Sequence, residues 1–405
     1  MQARHTGATT GRFGAALAAG FVALPLGAMS PAVAHAAPHD DAPASAGYQV
    51  TPIFTAEGAT TGLGKPLTKP DDIVRLGDRL FVAFQNGVGS TGGPANNGGT
   101  QSSLVELTPD GQQVGQWDLT GKIDGLGVDP AMNAVVATVD EDGNSSLYTV
   151  APQRGSSAVT HYCYNANPLP HGGGTDSIAY YGGRLVISAS APDPSPADVP
   201  AVYAATLEPG VAPTTCPAGS APATGTAVLT NGFSDTAAAT PANAGAPSRL
   251  ALTDPDSSTV VPGSAPRFGG EFMLDSQGDD QQVYTTDPIG GSSLSVLQLS
   301  QSVNDTAFVT SRGALYVTDP SADAVDRVTG PFRVGQAFVA ATPCSDNSAP
   351  STCTTANYLG TLDLSSGAVT SVGAALAPQG MLFVPGHQGK SDDHGSDNRG
   401  SDSRG

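Results

Sequence analysis

The chain has 405 residues, with 17 basic against 36 acidic side chains and a net charge of −19. A field of that sign repels nucleic acid and anionic membrane surfaces, so neither is expected as a partner. Abundant glycine and proline, 51 and 33 residues, with only 13% charged residues, favour short strands with many turns over long helices.

The first 36 residues carry Arg4 and Arg12, no acid, an apolar run over 13–29 and the small-x-small site Ala34-His35-Ala36. That order predicts a secretory signal peptide and hence a secreted, extracellular protein. Its removal takes Arg4 and Arg12 away and leaves a mature charge of −21. No later stretch reaches the roughly 18–20 apolar residues that span a bilayer, so no membrane insertion is expected. Residues 37–47 read as a Pro/Ala/Asp linker, 48–386 as one folded domain, and 387–405 as a disordered tail. A monomer is expected.

Within the domain a unit recurs. Asp71-Asp72-Ile73-Val74-Arg75-Leu76-Gly77-Asp78-Arg79-Leu80-Phe81-Val82 aligns without a gap on the twelve residues from Asp176 to Ile187. Looser copies begin at Asp124, Glu271 and Asp305, and a last one has Gln379 in place of the acid. Each continues into a second strand, at 80–84, 134–139, 185–190, 282–286 and 314–318. A third follows at 103–108, 146–151, 201–207, 294–300 and 324–329. Short antiparallel strands repeating about every 50 residues are the pattern of propeller blades. The fold class expected is therefore all-β, a single β-propeller of six blades, closed by strands at 48–55 and 379–385 in one blade. Seven blades is the alternative, because 246–262 has room for an extra strand pair. A β-sandwich would explain the alternation but not the recurring unit. Residues 209–246, rich in Ala, Thr and Pro, read as a surface insertion outside the ring.

Four cysteines in an exported chain point to disulfides. Cys344 and Cys353 bracket a short loop and are expected to pair, which leaves Cys163 for Cys216.

In a propeller the inner strands start around one mouth of the central channel. Asp71, Asp124, Asp176, Glu271 and Asp305 are expected there at one height, with Gln379 completing the circle; Gln85 and Asn86 add polar ligand contacts. Converging carboxylates repel unless a cation or proton sits among them, and oxygen donors suit Ca²⁺, with Asp124, Asp176 and Asp305 as its candidate ligands. The competing reading is that each Asp caps its own turn. Asp140-Glu141-Asp142-Gly143-Asn144 is first a hairpin turn, although Glu141 follows a strand that ends near the mouth. His171, in a glycine run before Asp176, is a general-base candidate alongside Glu141; the plainer reading is an exposed histidine on a flexible loop. Lys122 is read as the counter-charge of Asp124. No Gly-x-Ser-x-Gly elbow occurs.

Pro70-Asp71-Asp72-Ile73, Phe84-Gln85-Asn86-Gly87-Val88-Gly89, Trp117-Asp118-Leu119, Asp124-Gly125-Leu126 and the run from Ala137 to Tyr148 resemble exported bacterial propellers of the NHL and YVTN types. A looser resemblance is to the six-bladed, calcium-dependent gluconolactonase-like propellers, which implies a carboxylate and an amide around one metal. Three functions follow. The first is a propeller binding a small polar ligand or an extracellular protein at its mouth, with a structural Ca²⁺. The others are a metal-dependent hydrolase of lactonase type and a cell-surface structural protein.

Overall fold

The computed structural model describes residues 47–190, 198–345 and 349–386. The expected signal peptide (1–36), residues 37–46 of the linker and the tail (387–405) lie outside the described residues.

Strand β1 (Gln49–Thr55) is followed by a four-stranded unit, β2 (Pro70–Leu76), β3 (Arg79–Phe84), β4 (Gln101–Leu107) and β5 (Gln113–Thr120). A second unit comprises β6 (Ile123–Asp129), β7 (Ala134–Val139), β8 (Ser146–Val150) and β9 (Val159–Tyr164). A third comprises β10 (Thr175–Tyr181), β11 (Arg184–Ala189), β12 (Val202–Pro209) and β13 (Gly225–Asn231). The outer strands β13 and β9 pair in parallel, which joins these two units into one eight-stranded sheet. The two-residue β14 (Thr240–Pro241) edges a fourth unit, β15 (Pro255–Val260), β16 (Phe272–Ser276), β17 (Gln281–Thr285) and β18 (Ser295–Gln298).

The last two units are interleaved. From β19 (Val303–Phe308) the chain passes to β20 (Gly313–Asp319) and β21 (Ala324–Thr329). It then returns to pair β22 (Ala337–Ala341), β23 (Tyr358–Leu362) and β24 (Val369–Ser371) onto β19. It ends as β25 (Met381–Pro385), beside β20. The final sheet runs β25-β20-β21-β1, so the first and last strands do share a blade, at its opposite edges. Innermost strands touch in the order β2, β6, β10, β15, β19, β25 and back to β2, which makes the ring closed.

Closure follows from burial. Second strands such as β7 are buried along their whole length, because both faces meet neighbouring blades, and they read as continuous apolar runs. Six apolar clusters form among the described residues, each drawn from two successive blades. Trp117 stacks on Phe81 at 6.2 Å in the cluster between the first and second blades. Among the described residues the six seams match six inner strands in contact around the ring.

Three expectations are corrected. Residues 246–262 supply β15, the inner strand of the fourth blade, and so Glu271 opens its second strand. The reason is polarity: Phe272, Met273 and Leu274 look like an inner strand but are fully buried between blades, whereas β15, beside the channel, is Pro-Asp-Ser-Ser-Thr-Val. Residues 209–246 are not wholly outside the ring, since β13 is the outer strand of the third blade and β14 edges the fourth. Finally, β20 and β21 belong to the last blade and not to that of Asp305. Both β20 and β22 are buried apolar runs, so each meets the local requirement of a second strand and only long-range pairing separates them.

Cys163 bonds Cys216 and Cys344 bonds Cys353, with Cα separations of 5.2 and 5.6 Å. Such bonds persist in an oxidising compartment. Among the described residues no helix is long and apolar enough to cross a membrane.

Candidate functional site

The mouth is built by a repeated bulge. Where β2, β6, β10, β15 and β19 pair with their second strands, the register slips just after the first paired residue. Each inner strand thereby gains one residue at the mouth, and a bulge re-aims side chains at a sheet's rim. Aligned on this slip, the first mouth position is Asp71, Asp124, Asp176, Asp256, Asn304 and Gln379. The second is Asp72, Gly125, Ser177, Ser257, Asp305 and Gly380. Asp305 therefore sits one place beyond the ring position expected for it, which Asn304 fills. Asp256 holds the place expected of Glu271.

All six first-position residues line one cavity of about 760 Å³ that follows the inner strands from Asp71 at one end of β2 to Arg75 at the other. Gln85 and Glu141 line it too. Nine carboxyl groups in its wall face three basic ones, Lys69, Arg75 and Lys122, so acids dominate its lining. Lys122 Nζ lies 2.7 Å from Asp124 Oδ1 and also meets Glu141, while Asp124 Oδ2 accepts the Glu141 N–H at 3.1 Å. Burial works against the charge on Lys122, but Asp124, Glu141 and Asp71 outweigh it and hold the ammonium protonated. Burial also pushes Asp71 up to about 8, Lys122 offsetting it in part, and Asp254 up to about 6. Asp176 and Asp256 are both raised well above the ordinary carboxyl value, by burial first and then by neighbouring acids.

The second position locks blades together. Asp72 accepts the N–H of Ile73 and, from the next blade, that of Leu126, both at 2.6 Å. Asp305 accepts Thr306 and Met381 in the same way, both at 2.6 Å. Burial still raises these two carboxyls, to about 6 and about 8, against the N–H groups that lower them. Elsewhere a second-strand hydroxyl does the joining. Thr138 takes the Gly125 N–H at 3.0 Å and donates to the Asp176 carbonyl of the next blade. Ser188 takes Ser177 N–H and donates to Asp256 O, each at 3.0 Å. Thr318 takes Gly380 N–H at 2.7 Å and donates to Asp71 O. The backbones come so close that a Cβ on Gly125 would lie 2.1 Å from Asp176 O, and one on Gly380 2.3 Å from Asp71 O.

Several candidates lie elsewhere. His171 is neither exposed nor at the mouth: it is 3% exposed, with Nδ1 2.6 Å from Tyr203 Oη and Nε2 2.6 Å from Gly174 O. Burial lowers its pKa to about 4, and both ring nitrogens are engaged in holding its loop. Asn86 is buried and bridges Thr68, Gln101 and Ser103. Glu271 lies outside the cavity wall. Among the described residues no three of His, Cys, Asp or Glu are gathered to hold a metal. Of the expected calcium ligands, Asp124 is answered by Lys122 and Asp305 by two backbone N–H groups. Asp72, Asp254, Asp256 and Asn304 are the cavity residues that the repeat alignment missed. Pro255-Asp256 echoing Pro70-Asp71 was the available signal, proline being tolerated at the first residue of a strand.

Six blades around a polar channel with an acidic mouth define a β-propeller. No protein-family model matches the chain, and no curated protein matches it in sequence. Solved structures do match. A protein of unknown function from Bacteroides thetaiotaomicron is 12% identical over 82% of this chain, with a TM-score of 0.42, and the chain spans 65% of its length. A streptogramin B lyase is 9% identical over 84% of this chain and 93% of its own, at a TM-score of 0.41. A putative gluconolactonase is 12% identical over 74% and 90%, at 0.37. Likeness this distant transfers no residue roles.

Proposed function

We propose that this chain is an exported binding propeller whose acidic mouth takes a small polar ligand bringing positive charge, as an organic cation or with Ca²⁺. The observation that carries this reading is the cavity wall, to which every inner strand contributes a polar mouth residue and in which acids outnumber bases. Burial raises the pKa of Asp71, Asp176 and Asp256, and a cation at the mouth would favour their charged forms.

The test is melting with millimolar CaCl₂, with spermidine, and with chelator. A ligand that binds only the folded state stabilises it by about 2.7 kcal/mol at a hundredfold excess over Kd. The melting temperature should rise with at least one cation, and Asp176→Asn with Asp256→Asn should abolish the rise. A melting curve indifferent to both cations would end this reading of the mouth. Hydrolysis of a lactone panel appearing only with Ca²⁺ would move the assignment to a hydrolase.

A further inference from the structure

The face opposite the acidic mouth has the opposite character. Strand β2 runs from Asp71 at the mouth towards Arg75 near its far end, and Arg75 borders both cavities; β25 likewise ends at Pro385, paired with Gly313. Around these far ends, where the last blade meets the first, lies a second cavity of about 910 Å³. Its wall carries three guanidinium groups, Arg75, Arg312 and Arg327, beside Tyr316 and Val334.

Among the described residues, only Arg79 and Lys122 form ion pairs with acids. Arg312 and Arg327 are exposed and make no side-chain hydrogen bond there, while Arg75 spends its Nε on Gly77 O at 2.8 Å and keeps its terminal nitrogens. The acid in the wall, Asp78, lies 3.7 Å from Arg79. In a chain of net charge −19, three arginines gathered at one concave site, without an ion pair among the described residues, form a local positive patch that attracts anions. The hydroxyl of Tyr316 donates to Pro109 O at 3.1 Å, and Val334 is 60% exposed. The site thus joins a forked, oxyanion-matching cation set to aromatic and aliphatic surface.

We propose that this cavity is a second binding site, for a small organic oxyanion whose acid group meets the arginines and whose apolar part rests against Tyr316 and Val334.

Titration of the full chain at low salt with phenyl phosphate and, separately, benzoate tests this and distinguishes a phosphoryl from a carboxylate group. At least one should bind in the millimolar range or tighter. Charge-assisted hydrogen bonds predict about a tenfold loss for each of Arg312→Gln and Arg327→Gln, with a smaller loss for Arg312→Lys, which keeps charge but not the fork. The mouth variant Asp176→Asn with Asp256→Asn should bind these anions undiminished, so failure at one face is distinct from failure at the other. Because Arg312 and Arg327 are exposed, their single variants should fold as the wild type does, which keeps the test informative. Absence of wild-type binding of both probes, or equal affinity in the glutamine variants, would overturn the proposal.

Discussion

The seam between the first and second blades and the seam between the second and third solve one problem with different chemistry. In both, inner-strand backbones approach across a blade boundary and leave polar groups with no partner within their own sheet. At the first seam the carboxylate of Asp72 collects two N–H groups, and the facing second-strand residue is Ala83. At the second, the hydroxyl of Thr138 joins an N–H to a carbonyl, and the inner strand has Gly125 where the first has Asp72. Asp305 with Ala340 repeats the first solution; Thr318 with Gly380 repeats the second. A carboxyl offers one acceptor oxygen to each of two donors, whereas a hydroxyl suits one donor and one acceptor. Acids at the mouth are therefore of two kinds, those at the second position committed to the ring and those at the first position facing the cavity.

The comparison breaks most visibly at the carboxylate latches. Asp72→Ala or Asp305→Ala leaves two buried N–H groups without acceptors, and each should cost about 2–4 kcal/mol, read by denaturant unfolding. Asp72→Asn should rescue little, because one amide oxygen cannot replace two carboxylate oxygens. Losses below about 0.5 kcal/mol would show that the seam does not rely on this latch.

A hydroxyl latch should cost less to remove. Thr138→Val or Thr318→Val keeps the shape and strands one donor and one acceptor, for about 1–3 kcal/mol. Thr→Ser at either position should retain most of the stability. If valine and serine variants unfold alike, packing and not the hydroxyl holds the seam.

The fourth blade sharpens the contrast. Asp275 stands where Thr138 and Ser188 do and is fully buried; among the described residues its carboxyl has Gln282 beside it but no hydrogen bond of good geometry. Burial, with Asp256 and Asp305 nearby, raises its pKa well above the ordinary carboxyl value, which favours the neutral form bearing an O–H. A carboxyl raised on folding contributes stability that is complete below its unfolded pKa and is lost as pH rises through the folded one. Asp71 and Asp305, at about 8, act in the same direction. The melting temperature should fall as pH rises from about 4 towards 9, counter to the usual loss in acid. Asp275→Thr should flatten that slope and add roughly 1 kcal/mol at pH 8, by removing the ionisable group from a site built for a hydroxyl. A variant that melts below the wild type at pH 8 would refute this account of the position.

Much of this architecture is written locally. The Asp-apolar-turn-apolar unit of the first three blades is legible because Ile73, Leu126 and Ile178 alternate with mouth residues. Their second strands are apolar throughout, being buried on both faces. The acids of the mouth were legible for the same reason in Asp71, Asp124 and Asp176. The fourth blade was misread by one strand, since a channel-lining strand needs polarity and β15 carries no apolar alternation to announce it. The role of Asp72 was hidden because a latch is defined by the N–H it meets in another blade, 54 residues away. The burial of His171 was hidden as well, because a glycine-rich context does not reveal it.

By itself, then, the sequence determined the blade unit, the cysteine partners and the acidic character of the mouth, because each depends on neighbours in the chain or on composition. Tertiary structure alone decided the interleaving of β19–β25, the one-residue slip that exchanges Asn304 for Asp305, and the gathering of Arg75, Arg312 and Arg327. Strands of equal apolarity compete for the same place in a ring, and only packing and pairing across the closed circle choose between them.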